Sequence, residues 1–481
     1  MARPLPSNPS EPSGNTPSNL GGDDRPPSFV RRVSHAIGRL RERSGELWWY
    51  TAWFFLSNRV GDVINLVIGL FLVPRVLDAS QLGAVTPLMQ VGTAVSLPLA
   101  LLLLPVGKFL NVFATKGETG KCRALLQDTL FVSALFAIGM AIWLFACGDA
   151  LLLRLGVENR RLLWPIAGFA LLSCIQPVLD SASRSLKLFD TILWGNAITP
   201  YVRLAAMLLL LAPLGVLGYM LAQLSSALAN ALLLLAMIVW VLRRMGRRMP
   251  YLREHGREMF AYALPLALFT FASRIQGPME PFVIRRWLPE EVSAGYYFVV
   301  TLGTIPTYFT LAMAPFLWTL VSERFEKGQS TQSLLLHSQA FALGVGGLFT
   351  LLFALFTPWF FSLPGPWRDY TGYAGFVWQV SLIRTLRTSL DYFMAYENAC
   401  RRFRYLWYVV PTMLVESALL YGLPGWGAFR GVLPATLWAR VDGWVANRLS
   451  LQFFLNIMIA AHVVFVAGLF LQLLHRRRHA A

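Results

Sequence analysis

Twelve apolar stretches leave this chain few ways to fold. Six lie near 50–74, 84–107, 124–147, 162–183, 191–212 and 217–242, and six more near 259–284, 293–320, 334–358, 371–397, 404–424 and 450–474. Each is about 20 residues long, enough for a helix to cross about 30 Å of hydrocarbon. The predicted fold class is an all-α polytopic membrane protein with twelve transmembrane helices. The balance of residue types agrees: 56% hydrophobic against 14% charged leaves too little polar surface to cover a soluble globule.

The formal charge of +17 is a mark of topology rather than of a nucleic-acid partner, because Lys and Arg fall in short clusters between the apolar runs and not along one hydrated face. Counted on alternate sides of the predicted spans, 27 lie on the side of the two termini and 10 on the other. The excess places both termini in the cytoplasm. The densest cluster, RRMGRRMPYLREHGR at 243–257, carries six arginines near the midpoint and separates six spans from six. Around it the predicted parts are a disordered cytoplasmic tail 1–28, a basic amphipathic juxtamembrane helix 29–46, a first lobe 47–242, the linker 243–257, a second lobe 258–475 and a short cytoplasmic tail 476–481. In the juxtamembrane stretch Val30, Val33, Ile37 and Leu40 recur at helical spacing opposite Arg31, Arg32, Arg39, Arg41 and Arg43. That pattern suits an anionic leaflet, although an ordinary positive flank reads the same way. Cys122, Cys147, Cys174 and Cys400 are scattered without ligand spacing, so no metal site or disulfide framework is expected.

The two halves echo each other. Ser57-Asn58-Arg59-Val60 is answered by Ser273-Arg274-Ile275, Leu82-Gly83 by Ala294-Gly295, and Pro105 by Pro315, at an offset of about 210 to 215 residues. Six crossings return the chain to its starting side, so the two lobes are predicted to be parallel repeats about an axis along the membrane normal.

Five arginines fall inside predicted spans: Arg59, Arg203, Arg274, Arg384 and Arg387. An arginine at the centre of a lipid-facing helix costs about 2.5 to 3.5 kcal/mol, so these should face protein or water. A guanidinium forks two donors toward phosphate oxygens and is always charged, which suits a diphosphate-linked substrate and repels a cationic one. Arg59 and Arg274, equivalent in the repeat, are the first choices. The competing reading is neutralised packing. Asp62 follows Arg59 by three residues, Asp180 precedes Arg184 by four and Asp391 follows Arg387 by four, spacings that bring opposite charges together on one helix face. Glu280, between Pro278 and Pro281, is the leading candidate for coupling to Na+ or H+, with Asp62, Asp180, Asp391 and Glu416 behind it. The two prolines predict a break in the seventh helix. Glu416 has no partner on its own helix, and His462, with Asn456 six residues before it, reads as hydrogen-bonded packing. Leu437, Val441, Trp444 and Val445 share a helical face in the outer loop and predict an interfacial helix or a cap.

The order of features resembles a known group. The Arg-bearing first helix, the stretches LDASQLGAVTPLMQVGTAVSLPL and LPEEVSAGYYFVVTLGTIPTYFTLAMAPFLWTL, and TPYVRL in the fifth helix are similar to Wzx-type polysaccharide flippases of the multidrug/oligosaccharidyl-lipid/polysaccharide (MOP) exporter superfamily. The resemblance spans 50–475, and the long amino-terminal tail and the 25-residue outer loop depart from it. It implies a MATE/MOP-like fold, a bacterial inner-membrane location, polysaccharide-assembly partners, no cofactor, and translocation of a lipid-linked oligosaccharide by alternating access. Two other readings stay open. One is a polytopic polymerase, ligase or acyltransferase, for which no nucleotide loop or His/Asp cluster speaks. The other is a cation-coupled drug exporter, which calls for carboxylates to dominate the lobes.

Overall fold

The computed structural model describes residues 58–186, 188–310, 317, 320–321, 324–325, 328–400, 402–425 and 450–480. The predicted tail, the basic juxtamembrane helix and the outer-loop helix lie outside these residues.

Every described element is helical. The main ones are α1 (described over 58–76), α2 (Ala79–Thr115), α3 (Thr119–Arg154), α4 (Leu163–Ser185), α5 (Phe189–Leu214), α6 (Val216–Arg244), α7 (Leu252–Trp287), α8 (Glu290–Gly303, resuming as Ile305–Thr310), α9 (Gln332–Ser362), α10 (Val377–Ala399), α11 (Leu406–Gly425) and α12 (Leu451–Ala480), with short 3-10 turns at Arg160–Leu162 and Arg368–Phe376. Among the described residues, seven helices are long and apolar enough to cross a membrane unaided. The helices overrun the apolar stretches that predict them. At 37 residues, α2 is about 55 Å long and extends past the hydrocarbon into the polar zone.

Local chemistry sets the boundaries. Asp78 ends α1 and caps α2, its carboxylate accepting from the Gln81 N–H at 2.8 Å. Gly215, at φ 56°, reverses the chain between α5 and α6 in a single residue, a conformation that favours glycine. The seventh helix is continuous through Pro278 and Pro281, contrary to the predicted break. Packed neighbours in a membrane bundle re-satisfy the carbonyls that a proline frees, so a helix tolerates it. The break falls instead in α8, at Thr304.

Contacts between helices repeat with a shift of six. The pairs α3–α4, α2–α4, α4–α6 and α5–α6 recur as α9–α10, α8–α10, α10–α12 and α11–α12. The halves meet through α2 against α7 and α8, and through α1 against α8. At this seam Ser293 Oγ donates to the Gly83 carbonyl at 2.9 Å, and a side chain at Gly83 would press on Ser293 and Ala294. Leu82-Gly83 and Ala294-Gly295 are the segments that echo each other in sequence. Equivalent residues touch one another only beside the axis that relates two copies, as at an isologous dimer interface.

The apolar core is shared at one end and split at the other. The largest cluster joins Ile68, Leu82 and Leu88 of the first half to Phe298, Val377 and Phe454 of the second. Arg285 locks the same end: its Nε donates to the Leu155 carbonyl at 2.9 Å and its Nη2 to Glu290 at 3.0 Å. Toward the linker the core divides into one cluster around Phe109, Phe113 and Leu179 and another around Tyr392, Tyr405 and Phe465.

The basic linker is docked on the start of α3. Met249 N–H donates to the Gly120 carbonyl at 3.1 Å, Lys121 pairs with Glu254 at 2.6 Å, and Arg248 pairs with Asp128. The rings of Phe113 and His255 lie 5.2 Å apart beneath it.

Candidate functional site

Two polar clusters occupy the bundle, one in each half. In the first, α1 contributes Arg59, Asp62 and Asn65, α5 contributes Arg203, and α6 contributes Tyr219, Gln223 and Ser226. Arg59 Nη2 lies 3.1 Å from Asp62, the within-helix pairing expected of residues three apart. The Arg59 guanidinium also sits 5.5 Å from the centre of the Phe309 ring on α8. Arg203 is held differently. Its Nη1 donates to Asn65 Oδ1 at 2.7 Å and its Nε to Ser226 Oγ at 3.3 Å. Among the described residues its hydrogen-bond partners are therefore uncharged. Among the described residues, this group sets one carboxylate, Asp62, against two guanidiniums.

The hydroxyl-bearing wall of the cluster comes from both halves. Arg203 lies within electrostatic reach of Tyr219 on α6 and of Tyr308 on α8, and Tyr308 is equally within reach of Arg59 and Asp62. Gln223 Nε2 donates to the Tyr219 hydroxyl at 3.0 Å. Beside it the backbone of α1 widens into one π-helical turn, Ile68–Leu72, a form that recurs at functional sites. Gly69 in that turn faces Tyr297 and Thr301 of α8.

The second cluster is balanced by carboxylates. Arg384 on α10 donates from Nη2 to both oxygens of Glu280 on α7 at 3.1 Å. The Glu280 side chain is 3% exposed and that of Arg384 17%, so the pair is largely desolvated. Glu416 on α11 and His462 on α12 face each other, with His462 Nδ1 3.5 Å from Glu416 Oε1 and both side chains 1% exposed. His462 Nδ1 also lies 2.8 Å from the Met458 carbonyl. Arg387 acts electrostatically on both Glu416 and His462, and Asp391 lies within reach of Arg387 one turn away.

The predicted residues thus divide. Arg59, Asp62 and Arg203 meet in the first half, and Glu280, Arg384, Arg387, Asp391 and Glu416 in the second. Asp180, on α4, has Arg184 as its electrostatic neighbour. Arg274 lies on α7, and its side chain is outside the described residues. Sequence reasoning treats Glu416 as lacking a local partner and His462 as packing; the fold brings the two together across helices. Asn65, Tyr219, Gln223, Tyr297 and Tyr308 were not singled out by the sequence. The only signal for them is that they are polar or phenolic residues inside apolar runs.

No protein-family model matches the chain, and no curated protein matches it. Solved structures do. An inward-facing conformation of a multidrug resistance MATE family transporter of the MOP superfamily superposes with a TM-score of 0.63 at 14% identity, over 88% of this chain and 96% of that one. An outward-facing conformation of such a transporter gives 0.58 at 14% identity, over 89% and 95%. A MOP superfamily transporter from Pyrococcus furiosus gives 0.58 at 14% identity, over 88% and 95%. The chain is an all-α polytopic membrane protein with the fold of the MATE transporters of the MOP superfamily.

Proposed function

We propose that this protein translocates a lipid-linked oligosaccharide, joined to its polyprenyl carrier through a diphosphate, from the cytoplasmic to the outer leaflet of a bacterial inner membrane by alternating access. The observation that carries this reading is Arg203. A guanidinium among neutral partners in the interior of a membrane bundle calls for an anion, and its planar fork fits phosphate oxygens. Arg59, shared with Asp62, lies in the same cluster and supplies the second cation, with Arg274 and Arg387 as further cavity arginines, while Arg384 is engaged by Glu280. The basic linker marks its end of the bundle as cytoplasmic under the excess of Lys and Arg there. The split core then opens toward the cytoplasm and the joined core closes the outer side. The Pyrococcus furiosus transporter of this fold is described by a reverse polarity of its binding pocket that suggests a different function.

Direction comes from Na+, H+ or the membrane potential, and the candidates for coupling to an ion are the carboxylates of the second half, Glu280, Glu416 and Asp391, with Asp62 and Asp180 in the first. Those same carboxylates favour the second reading, a cation-coupled multidrug exporter; the first of the structural relatives is named as a multidrug resistance MATE family transporter.

Flipping of a fluorescent polyprenyl-diphosphate sugar in proteoliposomes tests the proposal. The native protein flips it, and a lipophilic cationic dye does not compete. Competition by the dye without flipping establishes the exporter reading, and extension or transfer of the sugar establishes an enzyme.

A further inference from the structure

Beside the arginines of the first cluster stands a set of neutral polar side chains that the anion-binding reading does not use. Tyr219, Gln223 and Tyr297 are each less than 9% exposed, at 8%, 8% and 7%, and Tyr308 is half-buried. Apolar residues of similar volume pack in such a place at lower cost, because every buried hydroxyl or amide must find a partner. Four at one place, contributed by α6 and α8 from opposite halves, therefore call for an explanation.

Tyr219 and Tyr297 belong to one buried cluster that spans both halves, and Phe309, next to Tyr308, lies 5.5 Å from the Arg59 guanidinium. Tyr219 and Tyr308 also act electrostatically on Tyr297. Gln223 donates to the Tyr219 oxygen, which leaves the Tyr219 hydroxyl proton and the Gln223 carbonyl to be offered elsewhere. On the α1 side, the π-helical turn sets Gly69 against α8, where a Cβ would come within 3.1 Å of Thr301 and 3.4 Å of the Tyr297 hydroxyl. Glycine here lets the α1 backbone pack close against the Tyr297 hydroxyl.

We propose that Tyr219, Gln223, Tyr297 and Tyr308 form a subsite for the sugar that adjoins the anionic group held at Arg203. A pyranose presents hydroxyls at its rim and a C–H face, and this wall offers matching donors, acceptors and aromatic rings without a net charge. A prenyl chain would be served by Leu and Phe, and a cation by carboxylates. The inference rests on the anionic reading of Arg203. It adds that the seam between the halves distinguishes a glycosylated diphosphate from a bare one, because Tyr219 and Gln223 come from α6 of the first half and Tyr297 and Tyr308 from α8 of the second.

The test compares the full-length protein in nanodiscs with two probes, a short polyprenyl diphosphate and the same lipid carrying N-acetylglucosamine on its diphosphate. In the native protein the sugar tightens binding about tenfold, the yield of one or two well-made hydrogen bonds. Tyr219→Phe with Tyr308→Phe, which keeps both rings, brings the two probes to within about twofold of each other and leaves the affinity for the bare diphosphate unchanged. Gln223→Met does the same to a smaller degree, and Arg203→Gln weakens both probes in parallel. If the native protein binds both probes equally well, or if the tyrosine variants lose both equally while melting normally, the subsite is refuted and the diphosphate reading stands. If the native protein binds neither probe, the diphosphate reading falls and the subsite falls with it.

Discussion

The two halves carry polar clusters of similar size and opposite bookkeeping. In the second half Arg384 meets both oxygens of Glu280, and His462 faces Glu416. In the first, Arg203 rests on an amide and a hydroxyl. Among the described residues, Arg384 of the second half is held by a carboxylate, whereas the hydrogen-bond partners of Arg203 in the first half are neutral. Buried charge is costly in either form. Removing one member of a balanced pair strands its partner and is strongly destabilising, whereas a cation without a carboxylate lowers stability unless a ligand supplies the anion.

This contrast predicts that stability and activity separate between the halves. The largest expected effect is on the balanced side. Glu280→Gln strands Arg384 and costs about 3 kcal/mol, the low end for breaking a buried pair because Arg384 keeps some exposure. The melting temperature falls accordingly and recovers in the double variant Glu280→Gln/Arg384→Gln. Recovery fails if the pair does more than neutralise itself. Next is Arg203→Gln, which leaves the melting temperature near the native value but lowers affinity for a lipid diphosphate by about 10- to 100-fold, the loss of a charge-assisted fork. A large drop in melting temperature without a change in affinity would place Arg203 with the packing residues.

The contrast between the joined and split ends of the core gives a third test. Arg285→Gln removes the bond to Leu155 and the ion pair to Glu290, about 1.5 to 3 kcal/mol for hydrogen bonds of a charged group. Cysteines placed along the joined end then become more accessible to a water-soluble maleimide. No change in labelling would show that the apolar cluster alone closes that end. The smallest effect belongs to the linker. The hydrogen bond from Lys121 holds Glu254 below its ordinary value of 4.5, so the clamp contributes most above that pH and loses its contribution as the pH falls through the lowered value. The melting difference between the native protein and Glu254→Gln should be present at about pH 6 and close at about pH 3.

Legibility in the sequence follows the range of the interaction. Hydropathy locates the helices because burial in lipid is decided residue by residue: 191–212 and 217–242 become Phe189–Leu214 and Val216–Arg244. It misses the polar extensions of α2 and α7, since helix propensity continues where hydrophobicity stops. Arg59 with Asp62 can be read from spacing because both lie on α1. Asn65 with Arg203, and Glu280 with Arg384, are 138 and 104 residues apart and arise only from how helices cross. The proline pair in α7 suggests a break because proline removes a hydrogen bond. The bundle absorbs that loss at Pro278 and Pro281, and the interruptions appear instead at other prolines: at Thr304 of α8, two residues before Pro306, and in the π-turn of α1, which ends two residues before Pro74.

Binding of a polyprenyl-diphosphate sugar by the folded native protein, by Arg203→Gln and by Glu280→Gln/Arg384→Gln tests the central claim most directly. Arg203→Gln is expected to weaken binding at least about tenfold, while the double variant of the second half stays within about twofold of native. Weakened binding in the double variant with native affinity in Arg203→Gln would contradict the account and move the anion site to the second half.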